Sequence, residues 1–396
     1  MTWMLYCERL GFLNFNSARQ SKIEAKRSDR RGSAPSGQGE DEDRFDKVAA
    51  SRNSENLSVL SIIRICSVVF LSIAGMQQAY STEASALKEG NGLPNLSDRP
   101  PIQDKNIDVF VDFLYWYTSE AIDWAFTIPT NLNPETTTYK TIAFDWAPGF
   151  RVGLGYNMFH DQWDTQASYT WFQSKATDDT SGRVESAFFA ARISLLEPFQ
   201  TGKVRLDLHY NMFDWDLGRR FLVSSCLSLR PLIGVKAGWI DQTIRTKWTI
   251  RDVPLIGLFT GTEDLKNNFR GGGPKGGIHG KWILGNVNRH QFSIVGNFEA
   301  AYMWGHWTIR DEFTDILNTR TFAKVDDRNF GSLMFGGLMG LGWDFNFDNT
   351  RSHFALKICY EIQDWLNQVQ LFTNTSGGQN NDLILQGLTV DLRFDF

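Results

Sequence analysis

The last nine residues of the chain alternate between apolar and polar side chains without a break. Because side chains of a β-strand point alternately to opposite faces, this segment predicts one strand with an apolar and a polar face. A soluble sheet can contain such an edge strand, but a strand that closes on an aromatic residue is typical of outer-membrane β-barrels. The apolar face of this predicted assembly strand consists of Leu388, Val390, Leu392, Phe394 and Phe396.

The same period of two recurs along the chain upstream. Each segment is long enough to cross a bilayer as a tilted strand, which takes about 9 to 11 residues. The sequence therefore predicts an all-β fold, a transmembrane antiparallel up-and-down β-barrel of about 12 strands, within a range of roughly 10 to 16. The alternating segments begin at Val109, Phe150, Trp163, Val204, Ile233, Phe292, Phe335 and Phe354.

Composition fits this class of protein. Aromatic residues make up 14% of the chain, which suits two interfacial girdles, yet the mean hydropathy is −0.30. A helical membrane protein would need runs of about 20 apolar residues, which this composition disfavours. Cys226 and Cys359 stand alone in separate segments, so their spacing indicates neither a disulfide framework nor a metal site.

Four segments follow one another along the chain. Residues 1–56 are polar and mixed in charge, and we expect a disordered or mis-assigned N-terminal extension there. Residues 57–81 combine Arg64, an apolar run and a small-residue site, which predicts a secretory signal peptide rather than a membrane helix. Residues 82–106 read as a periplasmic lead-in, and residues 107–396 as the barrel.

The polar face of each strand is expected to line a watery lumen. Longer polar segments at 174–183, 249–268, 308–328 and 373–382 are predicted to be outer loops, and segments 159–162 and 348–352 short periplasmic turns. The face assigned to lipid on the strand from Val204 runs through Leu206, Leu208, Tyr210 and Met212. The lumen-facing candidates are Arg151, Arg205, Asp207, Lys236, Glu299, Lys357, Glu361, Asp391, Arg393 and Asp395.

Three motifs that resemble chemical sites are better explained by a barrel. Gly271, Gly273 and Gly276 match G-x-G-x-x-G, but no strand-helix context accompanies them, so glycines that let a strand bend are favoured. The histidines do not fall at metal-ligand spacing, and Asp207 with His209 is what polar alternation produces by chance. We expect no catalytic residue, no metal and no cofactor.

The order of several segments resembles one known family. These segments are Phe113 to Trp116, Phe144 to Tyr156, Leu229 to Pro231, and Gln386 to Phe396. Together they are similar to the Legionella-type major outer membrane proteins, a pore-forming family also found in environmental chlamydiae. The resemblance covers about Ile107 to Phe396 and implies a porin-like barrel without catalytic residues, whereas the first 56 residues depart from the family pattern.

The expected function is that of a porin in the outer membrane of a Gram-negative bacterium, reached after signal-peptide export. A water-filled channel would allow passive diffusion of small hydrophilic solutes and ions, with a weak cation preference because carboxylates outnumber basic side chains. The alternatives are a structural or adhesive surface barrel with a closed lumen and a barrel hydrolase. Expected partners are outer-membrane lipid, the barrel-assembly machinery through the C-terminal strand, and the solutes; a homo-oligomer stays open, and no nucleic acid is expected.

Overall fold

The computed structural model describes residues 107–128, 137–158, 162–194, 196–253, 257–287, 289–347, 352–373 and 377–395. They all belong to one compact unit, Ser97–Phe396. The predicted extension, signal peptide, lead-in and the terminal Phe396 lie outside the described residues.

Strands dominate the described residues, and one short helix, α1, covers Phe189–Ile193. Ten long strands are β1 (Ile107–Ser119), β4 (Trp146–Asn157), β5 (Trp163–Ser186), β6 (Phe199–Arg219), β8 (Leu227–Val253), β9 (Gly257–Val287), β10 (His290–Asp315), β11 (Arg320–Asn346), β12 (His353–Thr373) and β13 (Gly377–Asp395). Three short strands are β2 (Asp123–Thr127), β3 (Thr138–Thr141) and β7 (Phe221–Leu222).

The long strands close into an antiparallel barrel. Around its wall they follow the order β1, β4, β5, β6, β8, β9, β10, β11, β12 and β13, and β13 pairs with β1. The terminal strand is thus held on both sides, by β1 and by β12. The predicted all-β antiparallel barrel is confirmed, and the ten strands described lie within the predicted range.

The two ends of the barrel differ. At the turn end, short connections join β4 to β5 and β11 to β12, where the predicted turns 159–162 and 348–352 fall. At the loop end, β2, β3 and α1 lie in the longer connections that precede β4 and β6. Among the described residues, no helix is long and apolar enough to span a membrane.

The predicted outer loops are largely strand. Segment 174–183 lies inside β5, and segments 249–268 and 308–328 consist mainly of the paired ends of β8, β9, β10 and β11. Their polar side chains alternate with buried apolar ones, so the segments extend the wall toward the loop end. The prediction of loops was wrong, because the polar side chains of these segments lie on the outward face of strands and do not indicate irregular structure.

The polarity of several long strands, β6, β10 and β12 among them, reverses part-way along their length. On β10, the outward side chains from Phe292 to Trp304 are mainly apolar, whereas the next outward ones are His306, Thr308 and Arg310. Inward positions change in the opposite sense, from Ser293 and Glu299 to the buried Met303, Trp307, Ile309 and Phe313. The turn-end half is therefore apolar outside and polar inside, and the loop-end half is polar outside and apolar inside.

The loop-end half encloses a hydrophobic core, which we call the loop-end core. Its inward side chains come from most of the wall and pack with α1 and β2 in one continuous cluster. Burial of each large side chain contributes about 1.5 to 3 kcal/mol, so this core stabilises a wall that protrudes beyond the apolar band. Its largest members include Trp116, Trp124, Phe172, Phe188, Phe199, Tyr210, Trp248, Phe269, Trp307, Phe313 and Trp365.

The glycine-rich segment lies within β9, where it pairs with β8 on one side and β10 on the other. A Cβ on Gly273 would overlap the carbonyl oxygen of Tyr302 on β10. Only glycine allows so close an approach between neighbouring strands, which explains the residue type without a nucleotide site.

Candidate functional site

The barrel interior at the level of the outward apolar band is lined by paired charges, which we call the inner charge belt. The belt belongs to the turn-end half, where strands present apolar side chains outward and polar side chains inward. Its members form three groups, centred on Arg151, Lys275 and His353.

Arg151 on β4 connects strands that are not neighbours. Its guanidinium donates to Asp112 Oδ2 at 2.9 Å and to Glu361 Oε1 at 2.8 Å, although β1 and β13 lie between β4 and β12. Thr389 on β13 also donates to Glu361, at 2.9 Å. The group therefore crosses the lumen from one part of the wall to another.

Lys275 on β9 stands among three carboxylates. Its Nζ lies 3.1 Å from Asp214, 3.4 Å from Asp216 and 3.5 Å from Glu299. Further basic groups complete the cluster: Lys236 contacts Asp214 at 2.8 Å, Arg230 contacts Asp216 at 2.6 Å and also Asp164, and His279 contacts Glu299 at 2.9 Å. Each buried carboxylate thus faces a basic partner, as low-dielectric surroundings require.

The third group of the inner charge belt is centred on His353 and lies near the turn end. Its Nδ1 lies 2.6 Å from Asp395 and its Nε2 lies 3.3 Å from Asp344, which also accepts from Lys281 at 2.7 Å. Beside it, Lys357 pairs with Asp391 at 3.0 Å, and Arg393 lies 3.5 Å from Asp108. These contacts tie β13 to β12 and β1.

Immediately beyond the belt, one contact spans the diameter of the barrel. Tyr210 on β6 and Gln363 on β12 stand on opposite sides, with four strands between them in either direction around the wall. The Tyr210 hydroxyl donates to Gln363 Oε1 at 2.9 Å, and its ring packs edge-on against Trp365 at 5.9 Å. Tyr210 is 0% exposed, so side chains close the lumen at this level.

The helix α1 packs at the loop end, where Ala190 and Ala191 are buried in the loop-end core. The backbone N–H groups of Phe189 and Ala190 donate to Asp311 Oδ2 at 3.0 and 2.8 Å, and that of Ala191 donates to Glu263 Oε1 at 2.8 Å. Both carboxyls lie beyond the outward apolar band. Burial raises the pKa of Asp311 to about 6, and burial together with the nearby Asp311 raises the pKa of Glu263 well above its usual range. Trp248 also donates to Glu263, at 3.0 Å.

Most sequence-predicted lumen residues occupy the inner charge belt, but one pair does not. Arg205 and Asp207 on β6 lie on the outer surface of the loop-end half, where they pair at 3.0 Å and the Arg205 side chain is 54% exposed. The assignment was wrong because the polarity of β6 reverses at about Asn211, so Leu206 and Leu208 point inward. The residues found in the belt are Arg151, Lys236, Glu299, Lys357, Glu361, Asp391, Arg393 and Asp395.

Several belt residues were missed as candidates. Asp214 and Asp216 follow the point where the apolar phase of β6 shifts from even to odd positions, at Phe213. That phase shift is the signal that would have found them. No such signal identifies Lys275 or His279, because glycines interrupt the alternation around them, and Arg230 stands between Leu229 and Pro231 without a clear polar face.

The chemistry of the belt is that of paired charges. Among the residues that the structure describes, no group of three or more His, Cys, Asp or Glu side chains could hold a metal ion. Cys226 is exposed near the turn end, and Cys359 is buried on β12; neither forms a disulfide.

A family model described as Legionella pneumophila major outer membrane protein precursor matches residues 99–396, which is most of the chain. The chain belongs to this family. The predicted resemblance is thereby confirmed, and membership of a family of outer-membrane β-barrel proteins points to the bacterial outer membrane. By the usual arrangement of such barrels, the loop end faces outward and the turn end faces the periplasm.

Comparison with other proteins adds little beyond the family. No curated protein sequence matches this chain. Ail, the attachment invasion locus protein of Yersinia pestis, is 10% identical over 73% of this chain and 98% of its own, with a TM-score of 0.22. The Pseudomonas putida toluene transporter TodX is 10% identical over 76% and 92%, with a TM-score of 0.24. OprG from Pseudomonas aeruginosa is 11% identical over 74% and 95%, with a TM-score of 0.20. The fold therefore rests on this chain's own strand pairing.

Proposed function

We propose that the protein is an outer-membrane channel for small hydrophilic solutes and ions, and that Tyr210 and Gln363 keep it closed in the conformation described. The inner charge belt carries this proposal. Charged side chains at membrane depth are costly, and where they face a protein interior they commonly mark a path for ions or polar solutes. A barrel that served only as a scaffold could fill the same space with apolar side chains at lower desolvation cost.

Passage would require the contacts beyond the belt to open. The hydrogen bond from Tyr210 to Gln363 and the ring contact with Trp365 cross the lumen, and the loop-end core lies above them. In this proposal, the belt supplies a polar path through the membrane, and Tyr210 with the loop-end core forms the gate. This differs from the water-filled channel for passive diffusion that was expected from the sequence, because a gate now controls the passage.

Selectivity follows from the belt's charges. The chain has an excess of carboxylates, with a formal net charge of −5. The belt mixes both signs in close pairs, so their fields partly cancel. We therefore propose a weak preference for cations, which decreases as salt shortens the Debye length to about 8 Å at 0.15 M.

Planar-bilayer recordings of the purified protein test the proposal. Tyr210→Ala removes the contact across the lumen, and Tyr302→Ala, at an exposed outward position on β10, is the matched control. The expected result is rare or small openings for wild type and the control, and a several-fold higher open probability for Tyr210→Ala. Reversal potentials in a potassium chloride gradient then measure the cation preference. A correctly folded Tyr210→Ala variant that stays closed would contradict the channel.

A second candidate is a surface barrel whose lumen never opens. The continuity of the loop-end core with α1 and β2 favours it, because a sealed, protruding barrel needs no pore to present an outer surface. The bilayer experiment separates the two candidates.

The hydrolase alternative has less support, because both carboxylate oxygens of Asp207 contact the guanidinium of Arg205. Export by the segment 57–81 is also part of the proposal, and mass mapping of the mature N terminus tests it.

A further inference from the structure

A chain of polar side chains crosses the loop-end core. Glu120 directly follows β1, Gln242 lies on β8 and Asn267 lies on β9. The Gln242 amide donates to Glu120 Oε1, and the Asn267 amide donates to Gln242 Oε1 at 2.9 Å. Because β9 stands opposite β1, with four strands between them in either direction around the wall, this chain spans the barrel interior. We call these three residues, together with Thr118, the core polar cluster.

The core polar cluster lies just beyond Tyr210 on the way to the loop end. Ile240 stands opposite Tyr210 on the neighbouring strands β8 and β6, and Gln242 stands opposite Leu208, one inward position nearer the loop end. The four members of the cluster are buried, with exposed fractions of 0 to 7%. A solute that passed Tyr210 would therefore meet the cluster next.

Each member of the cluster interrupts a run of buried apolar side chains on its own segment. The flanking side chains are Trp116 and Ile122, Ile240 and Ile244, and Leu265 and Phe269. Buried polar groups are costly unless all their hydrogen bonds are made, so a core that only sealed the barrel would be more stable with apolar side chains at these positions. The cluster therefore requires a reason other than packing.

Three oxygen atoms of the cluster have no partner. Within the part of the chain that the structure describes, Thr118 Oγ1, Glu120 Oε2 and Asn267 Oδ1 are buried and form no hydrogen bond. Thr118 and Glu120 are two residues apart and both point inward, so their side chains are neighbours on one face. The amide nitrogens of Gln242 and Asn267 donate within the chain, so the cluster presents oxygen atoms to an occupant.

The charge of Glu120 indicates what kind of occupant fits. Among the described residues, no basic side chain forms an ion pair with Glu120, whereas the belt carboxylates Glu361 and Asp391 each have one. A water molecule at the three oxygens would leave the carboxylate charge uncompensated in the low-dielectric core. A cation would neutralise it, and oxygen atoms are the ligands that hard cations prefer. One carboxylate matches a single positive charge.

We propose that the core polar cluster binds a small monovalent inorganic cation, of the sodium or potassium class, through Glu120, Asn267 and Thr118. Gln242 holds Glu120 and Asn267 in place through its two hydrogen bonds. The site would give the proposed cation preference of the channel a structural basis. Binding is measured without current, however, so the site and the channel are tested separately.

Two measurements on the folded barrel test the proposal. Line broadening in sodium NMR, recorded in a neutral detergent, measures sodium binding directly. Urea unfolding in neutral lipid vesicles compares sodium chloride, potassium chloride and N-methyl-D-glucamine chloride at equal concentration, because the last cation is too large for the site. Both are made at about pH 9, because burial raises the pKa of Glu120 to about 8 and a proton competes with the cation below that pH.

Three variants separate the charge, the hydroxyl and a general effect of charge. Glu120→Gln removes the carboxylate charge, and Thr118→Val removes the hydroxyl at nearly constant volume. Asp264→Asn is the control, because Asp264 faces outward on β9, where it pairs with Arg245, and its loss changes the net charge by the same amount. Heat-modifiable migration on gels confirms that each variant is folded.

We expect sodium or potassium chloride to raise the urea midpoint of wild type above that in N-methyl-D-glucamine chloride, because a cation that binds only the folded state stabilises it. Sodium binding should weaken by about tenfold or more in Glu120→Gln and by about threefold in Thr118→Val, and should stay within about twofold of wild type in Asp264→Asn, because the number and charge of ligands set cation affinity. In N-methyl-D-glucamine chloride, Thr118→Val should be at least as stable as wild type, because it removes a buried hydroxyl without a partner. A merely structural role of Thr118 predicts no change in sodium affinity.

Equal midpoints of wild type in the three salts would overturn the proposal, because they would show that a proton or water alone satisfies the cluster. Equal sodium affinity of wild type and Glu120→Gln would also overturn it, because the bound sodium would then lie elsewhere.

Discussion

Leu208 on β6 tests the reversal of strand polarity most sharply. The sequence pattern placed this side chain on the lipid face, whereas the structure places it inside the loop-end core at 0% exposure. A side chain facing lipid can be enlarged freely, because lipid rearranges around it. A side chain in a packed interior cannot, because extra volume forces neighbouring side chains off their preferred rotamers.

Two substitutions at this position give the magnitude. Leu208→Trp should cost about 1 to 3 kcal/mol by overpacking, and Leu208→Ala about 2 to 5 kcal/mol by leaving a cavity. Leu392 on β13 is the matched control, because it points outward and is 46% exposed. Leu392→Trp should change stability by less than about 0.5 kcal/mol.

The assay is urea unfolding of the barrel in lipid vesicles, with folded and unfolded forms separated by their migration on gels. Because Leu208 lies in a packed interior, both Leu208→Trp and Leu208→Ala should lower the urea midpoint of unfolding. If Leu208→Trp unfolds at the same urea concentration as Leu392→Trp and wild type, then Leu208 does not lie in a packed interior, and the reversal on β6 is refuted.

Three further predictions concern the band, the belt and the loop end. Ile358→Arg, on the outward face of β12, should destabilise the barrel in lipid by about 2 to 4 kcal/mol; unfolding midpoints measure this, and an unchanged midpoint would remove Ile358 from the lipid face. Arg151→Gln should lower the free energy of unfolding by about 3 to 5 kcal/mol, because it leaves Asp112 and Glu361 buried without their shared cation. Arg205→Gln is the control, and an equal loss of stability in that variant would show that burial is not the cause. Burial raises the pKa of Glu120 to about 8 from its ordinary 4.5. The folded state therefore binds the extra proton, and stability at the loop end should fall as pH rises from about 4.5 to 8; hydrogen exchange near Ala121 should show this in wild type but not in Glu120→Gln.

The fold could be predicted from the sequence because alternation with period two is imposed by strand geometry alone. Leu388 to Phe394 and Phe354 to Ile362 follow it without interruption, and both face outward as predicted. The inward face of β1 is less polar than that of the other strands in the sequence, and the structure gives the reason: Leu114 and Trp116 are buried in the loop-end core.

The inner charge belt was harder to predict, because the alternation of apolar and polar side chains does not show which face of a strand points into the barrel. Apolar side chains face outward where lipid surrounds the wall and inward where water does, so the same pattern has opposite meanings on β6 before and after Asn211. The phase shift is visible in the sequence of β10, where Trp304 and Trp307 lie on different faces. Contacts across the lumen, such as Tyr210 with Gln363, depend on which strands stand opposite each other, and strand number alone does not fix them.

The central claim is that the loop-end half of the barrel carries apolar side chains inside and polar side chains outside, the reverse of the membrane half. Cysteine labelling on intact cells tests this claim most directly. Thr243→Cys and Ile244→Cys are adjacent positions on β8, introduced with Cys226→Ser and Cys359→Ser to remove the free thiols of the described part of the chain. A membrane-impermeant maleimide should label position 243, which faces outward, and leave position 244 unlabelled, because Ile244 is buried. Labelling of position 244 with protection of position 243 would contradict the account.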